Sequence, residues 1–203
     1  MLYPVPAVLV GCRDENGKDN LMTAAWAGTI CSDPVMVSVS IRKERYSHDI
    51  IEQTGEFTLS LTTNALAYAT DYCGVRSGRD RDKFSDMKLT PLESSKISAP
   101  GVAESPVVLE CRVSQILRLG SHDMFIAEVV NVSVDESYLS PGGKLELERA
   151  DLSAYSHGED VELGKKIGKF GYSVRKKPVS YKAGSAGKGV KKRQTGRKKG
   201  QTS

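Results

Sequence analysis

The chain contains no run of about 18 apolar residues, so no segment is long enough to cross a bilayer as a helix. Its N-terminus lacks a basic stretch followed by an apolar core, so no secretory signal is read there. The four cysteines (Cys12, Cys31, Cys73, Cys111) lie far apart without a Cys-x-x-Cys pair. That spacing argues against a disulfide scaffold and against a structural zinc site, and a reducing, cytoplasmic home is expected. No Ser-His-Asp order, His-x-x-x-His pair or Walker-type loop stands out, which removes the usual hydrolase and nucleotidase signatures. No repeat with a period of 20 to 50 residues is present.

What remains is 203 residues with enough apolar content for one well-cored domain. The formal charge of +4 hides two different objects. Of the 29 Lys and Arg, 11 lie in residues 175–203, which hold no Asp or Glu. The first 174 residues therefore carry 18 basic against all 25 acidic groups, a balance of −7. We expect a folded, acidic domain over 1–174 and a disordered basic tail over 175–203, where apolar anchors are almost absent.

Residues 20–49 organise the rest. The small-residue run 22–30 around Trp26 reads as a strand, and 35–41 alternates Val37, Val39 and Ile41 against Met36, Ser38 and Ser40. Ser32-Asp33-Pro34 supplies the turn between them. Small side chains at Thr23, Ala24, Ala25, Ala27 and Gly28 leave the backbone open to a flat ligand. Arg42, Lys43, Arg45, Tyr46 and Ser47 follow at once, before a helix expected over 47–54 with Ser47 as N-cap and Gly55 as stop. Cations, hydroxyls and a helix N-terminus together make an anion site, most naturally for a phosphate. A slot for a planar ring that ends in a phosphate corner points to flavin mononucleotide (FMN).

Further strands are expected over 4–12, with an Asn16-Gly17 turn after it, and over 56–62, 107–119, 124–135 and 144–147. A second helix is expected over 64–72 with Asn64 as cap. Residues 73–84 (CGVRSGRDRDKF) read either as a solvated charged loop or as a second wall of the ligand site, with Gly74, Ser77 and Gly78 permitting close approach. Residues 87–106 are expected to be a surface excursion, since prolines and serines break them. His122 sits in the turn 120–123, either solvated or poised over the ligand. About seven strands in antiparallel hairpins with two or three short helices make a mainly β fold, a closed or partly closed barrel.

In this order the segments PVPAVLVGC, NLMTAAWAGTICSDPVMVSVSI, RYSHDII, EFTLSL, YCGVRSGRDRDKF and GSHDMFIAEVV resemble the flavin reductase-like, FMN-binding split-barrel family, within it the flavoredoxin branch. The resemblance covers about residues 4–135 and none of the tail beyond Pro178. It implies a homodimer holding FMN noncovalently near the subunit interface, reduced by NAD(P)H or by an electron-carrier protein. Carried over residue by residue, Thr23, Ala24, Ala25 and Trp26 would face the isoalloxazine ring. Ser40, Arg42, Arg45, Tyr46 and Ser47 would surround the phosphate, and Cys73, Gly74, Ser77 and Lys83 would belong to the loop closing over the flavin. His122 would stand near the nicotinamide as the catalytic polar group. Two rival readings are nucleic-acid or acidic-partner binding through the basic tail, and flavin binding without turnover.

Overall fold

The computed structural model describes residues 2–174. The basic tail, and with it the nucleic-acid reading, lies outside the described residues. The chain divides into two compact units, Met1–Lys165 and Lys166–Ser203. The described part of the second ends in a 3-10 turn, Tyr172–Val174.

The first expected strand is realised as β1 (Val5–Pro6) and β2 (Val8–Arg13). The run expected as a single strand over 22–30 is two: β3 (Asp19–Ala24) and β4 (Ala27–Ser32), separated by a bend at Ala25 and Trp26. The cause is pairing, because β3 bonds β2 while β4 bonds β5 (Val35–Arg42). At the bend the Trp26 carbonyl accepts from the Ser40 amide at 2.8 Å. Helix α1 (Tyr46–Thr54) starts from Arg45 as an extended N-cap without a side-chain cap bond. Ser47 is therefore not the cap. It lies within the first turn, and its hydroxyl accepts from the Asn20 amide instead. Gly55 ends the helix at φ 69°, as expected.

After β6 (Glu56–Leu61), Asn64 opens a 3-10 turn rather than capping a helix, and its amide donates to Glu162. Helix α2 (Ala67–Val75) takes in Cys73 and Gly74, so the expected loop shortens to residues 76–82 before α3 (Lys83–Met87). Residues 87–106 are not a mere surface excursion. They carry β7 (Pro91–Leu92) and β8 (Gly101–Val102) and bury Leu89, Ala99 and Val102. β9 (Val107–Leu119) and β10 (His122–Val134) form the expected long hairpin, with His122 already in the strand. Two register shifts along it let these 13-residue strands bend. The strand expected over 144–147 is absent; one bridge, Leu139 to Leu145, and a 3-10 turn occupy the region. β11 (Ser153–Ser156) and β12 (Glu159–Glu162) complete a small sheet with β1.

The main sheet has seven strands, all antiparallel, in the order β3-β2-β6-β9-β10-β5-β4; the number is the one expected only because the divided 22–30 run makes up for the missing 144–147 strand. It curls until both ends share one interior. Val8 and Val10, Met22 and Ala24, Val37, Val39 and Ile41, Phe57 and Leu59, Phe125 and Ala127 all pack in a single cluster. Ile50 and Ile51 of α1 plug that interior. The opposite faces of β2 and β3 send Leu9 and Leu21 into a second cluster with Leu66, Ala69, Cys73, Phe84 and Val102. β2 is thus covered on both sides, which explains why Val8-Leu9-Val10 is continuously apolar rather than alternating.

Gly11 makes this double cover possible. A Cβ there would lie 2.0 Å from the Pro100 carbonyl oxygen and 2.5 Å from Thr58 Oγ1, and Thr58 itself donates to that carbonyl at 2.7 Å. Neither obstacle is a flexible side-chain end. Gly11→Ala is expected to destabilise by about 1–3 kcal/mol as overpacking, read as a lowered thermal midpoint.

Candidate functional site

Two cavities, of about 470 and 460 Å³, share a wall made of Met22, Arg42, Arg45 and Val75. The first is basic: Arg42, Arg45, Arg76 and Lys83 line it against one carboxylate, Glu44. Arg42 is paired with Glu44 at 3.3 Å. Arg45 is half-buried and has no ion pair among the described residues.

Lys83 is 4% exposed and donates to the carbonyl oxygens of Leu21 (2.5 Å) and Cys73 (3.0 Å). Burial lowers its pKa, and the charge of Arg45 adds to that. A buried ammonium facing a second cation favours an anion in the space between. Ser47 Oγ accepts from Asn20 Nδ2 at 2.7 Å, a bond that does not use the hydroxyl proton. The N-terminus of α1 adds partial positive charge beside it, although the His48 amide is already taken by the Arg45 carbonyl at 2.9 Å. Opposite, Gly78 is pressed against the cavity floor. A Cβ there would lie 1.8 Å from Asn20 Oδ1 and 3.0 Å from Tyr46 Cδ1.

The second cavity is flatter and less charged. Thr23, Ala24, Ala25 and Trp26 line it from β3 and the bend, Ser40 from β5, Thr70 and Gly74 from α2, and His122 from β10. Thr23 Oγ1 is fixed to the Thr70 carbonyl at 2.5 Å, which joins β3 to α2 across this wall. Trp26 is 43% exposed and meets Tyr3 edge-on at 6.3 Å. His122 is opposite Arg42 in the β5–β10 register, with Ser121 Oγ 2.9 Å from its Nδ1. Tyr155, Gly158, Asp71 and Asp160 also line it. Burial raises the Asp160 carboxyl above its ordinary range, helped by the charge of Asp71.

Of the thirteen positions expected to hold a cofactor, twelve line one cavity or both, and His122 joins them. Cys73 does not. Its thiol is packed in the second cluster, where burial pushes it up to about 11, and its contribution is the carbonyl that receives Lys83. Sequence reading missed Asn20, Arg76, Asp71, Tyr155 and Asp160 as lining residues. Asn20 follows the Asn16-Gly17 turn closely enough to be noticed, but its bond to Ser47 spans 27 residues and leaves no local signal. Among the described residues no group of three His, Cys, Asp or Glu could hold a metal ion, and no helix is long and apolar enough to cross a membrane.

Beneath the hairpin tip lies a second polar cluster that the sequence did not announce. His48 Nε2 is 2.9 Å from Asp123 Oδ2, and both residues are buried. Arg118 Nη1 donates to the same oxygen at 2.5 Å, and Lys43 Nζ is 3.6 Å from Oδ1. Burial alone would raise the Asp123 carboxyl; the bonds from Arg118 and His48 outweigh it and hold the pKa at about 2. A carboxyl depressed below its unfolded value of about 3.9 adds stability above that pH and loses it as the pH falls through about 2. The difference in thermal midpoint between the native chain and Asp123→Asn is therefore expected to be full above about pH 5 and to shrink steadily below pH 4.

The model of the flavin reductase-like domain matches residues 1–148. A protein of Pyrococcus abyssi is 31% identical over 169 residues, 82% of this chain and 95% of that one. Flavoredoxin of Desulfovibrio vulgaris (Miyazaki F) superposes with a TM-score of 0.81 at 34% identity, covering 86% of this chain and 95% of its own. Flavoredoxin from Methanosarcina acetivorans does so with a TM-score of 0.78 at 26% identity, over 86% and 93%. With the family model spanning most of the chain and the barrel matched from end to end, this protein belongs to the flavin reductase-like family, and its fold is the split barrel of that family.

Proposed function

We propose that the chain is an FMN-dependent oxidoreductase, passing electrons from NAD(P)H or an electron-carrier protein through a noncovalently held FMN to an acceptor. The observation that carries this reading is the shared wall. A cavity with a buried ammonium and a half-buried guanidinium, neither in an ion pair among the described residues, adjoins a flat one built from small side chains and one indole. A phosphate at one end and a planar ring at the other fit that pair of spaces. Lys83, Arg45, Ser47 and the first turn of α1 would hold the phosphate, while Thr23 to Trp26, Ser40 and Gly74 would flank the ring.

When bound, the flavin supplies the hydride and one-electron chemistry. The protein's own tasks are to orient it, to exclude water from its ends and to present His122 where a donor approaches. Likeness to two flavoredoxins supports the electron-carrier form of the reading. The homodimer is part of the proposal, supported by the sheet edge at β4, where Ile30, and Val35 at the start of β5, are about half exposed. A reducing cytoplasm is supported by four cysteines that are all free.

The visible spectrum before and after adding FMN tests the reading, and a protein that stays colourless defeats it. Arg45→Ala combined with Ser47→Ala is expected to raise the FMN dissociation constant about tenfold or more, since charge-assisted phosphate contacts are strong. An unchanged constant in a fluorescence titration would put the phosphate elsewhere. Anaerobic assays with NADH and NADPH separate turnover from simple flavin binding.

A further inference from the structure

We propose that Arg79, which lines neither cavity, is a positioning residue that sets how slowly a phosphate-bearing cofactor leaves the basic cavity; the inference rests on the FMN reading above. Residues 76–78 form one wall of that cavity, and Tyr46 and Ser47 in the first turn of α1 form another. Arg79 joins the two walls. Its Nη1 donates to the Glu44 carbonyl at 3.1 Å, and its Nη2 donates to Asp49 Oδ2 at 3.1 Å. Its guanidinium carbon lies 5.2 Å from the centre of the Tyr46 ring.

Neighbouring contacts hold the same joint. Lys18 Nζ donates to the Gly78 carbonyl at 3.1 Å and lies 5.6 Å from the Tyr46 ring centre. The Arg79 amide donates to Ser77 Oγ at 3.2 Å, so the guanidinium and the cavity-lining serine move as one turn. The absence of a side chain at Gly78 lets that turn sit directly on Asn20 and Tyr46. A planar guanidinium bonded at two points and lying over a ring is a geometry that lysine cannot reproduce.

The side chains of Arg79 and Asp49 are 48% and 50% exposed, so their bond is weak and reversible. This makes it a clasp rather than a permanent bolt. Opening it loosens the wall of residues 76–78 against α1, leaving the Lys18 contacts to hold the rest, without touching the barrel interior. Its strength should therefore appear in the rate of cofactor release, where most affinity differences between related complexes lie. Closed, the clasp makes FMN a resident group and not a substrate that exchanges at each turnover.

The test uses the full chain loaded with FMN, with release followed by the fluorescence of free FMN after dilution. Arg79→Ala and Asp49→Asn are each expected to speed release about fivefold or more, with the double variant no faster than Arg79→Ala alone. Arg79→Lys should recover only part of the native rate. Thermal midpoints of the FMN-free variants should stay near the native value, because an exposed pair adds little to folding. Release within twofold of native in Arg79→Ala, additive effects in the double variant, or a fall in midpoint that tracks release would overturn the clasp. Normal uptake with unchanged release would remove the clasp and leave the FMN reading intact. A native protein that takes up no FMN would remove both.

Discussion

The buried ammonium of Lys83 is the constraint on which the site depends. It reaches from α3 to a carbonyl on β3 and another on α2, so one charge fixes three elements. Removing an ammonium from water costs several kcal/mol, and two carbonyl dipoles offset only part of that. No carboxylate pairs with it among the described residues. An apolar side chain would suit the second cluster better if packing were the only demand. A cation kept there in spite of its desolvation is intelligible if the balancing charge arrives with a ligand in the cavity that Lys83 lines.

The remaining geometry follows from how the barrel mounts its edges. β2 and β3 are covered on both faces, by the barrel interior and by the layer of α2, α3 and β8, and so cannot shift without disturbing two clusters. α1 is anchored at Ile50 and Ile51 inside the barrel while its first turn faces the basic cavity. Thr23, bonded to Thr70, carries the same rigidity to the flat cavity. Site residues on elements locked in this way need little reordering when a ligand binds.

Much of this was legible in the residues, for definite reasons. Alternation along β5 named Val37, Val39 and Ile41 as its interior face, and Gly55 marked the end of α1. Arg42 and Arg45, placed just before a helix, were expected at an anion corner, and both line the basic cavity. What stayed hidden depends on pairing and distance. Nothing local says that Ala25 and Trp26 form a bend, because the break reflects which strand each half bonds. Ser47 looked like a cap because its type suits that role, yet its hydroxyl answers to Asn20, brought there by β3. Residues 87–106 looked exposed because prolines break their pattern, while their buried face exists only once Leu9 and Leu21 point outward from the barrel. Cys73 was expected in a loop over the ligand, but it lies in α2 with its thiol in the second cluster. A helix turn decided that, and the charged residues after it gave no warning.

The charge arrangement adds direction to the groove. The first 174 residues are acidic overall, yet the basic cavity gathers four cations against one carboxylate. The flat cavity shares Arg42 and Arg45 with it but adds Asp71 and Asp160, so its charges balance in number, and burial, helped by Asp71, raises the Asp160 carboxyl. A ligand with an anionic end is therefore drawn more strongly to the basic cavity than to the flat one. Low-dielectric walls strengthen that preference, since buried Lys83 and half-buried Arg45 are screened less than the surface acids around them. Bias by field and retention by the joined walls would be separate devices: the first acts on which cavity an anionic end prefers, the second on how long a bound ligand stays.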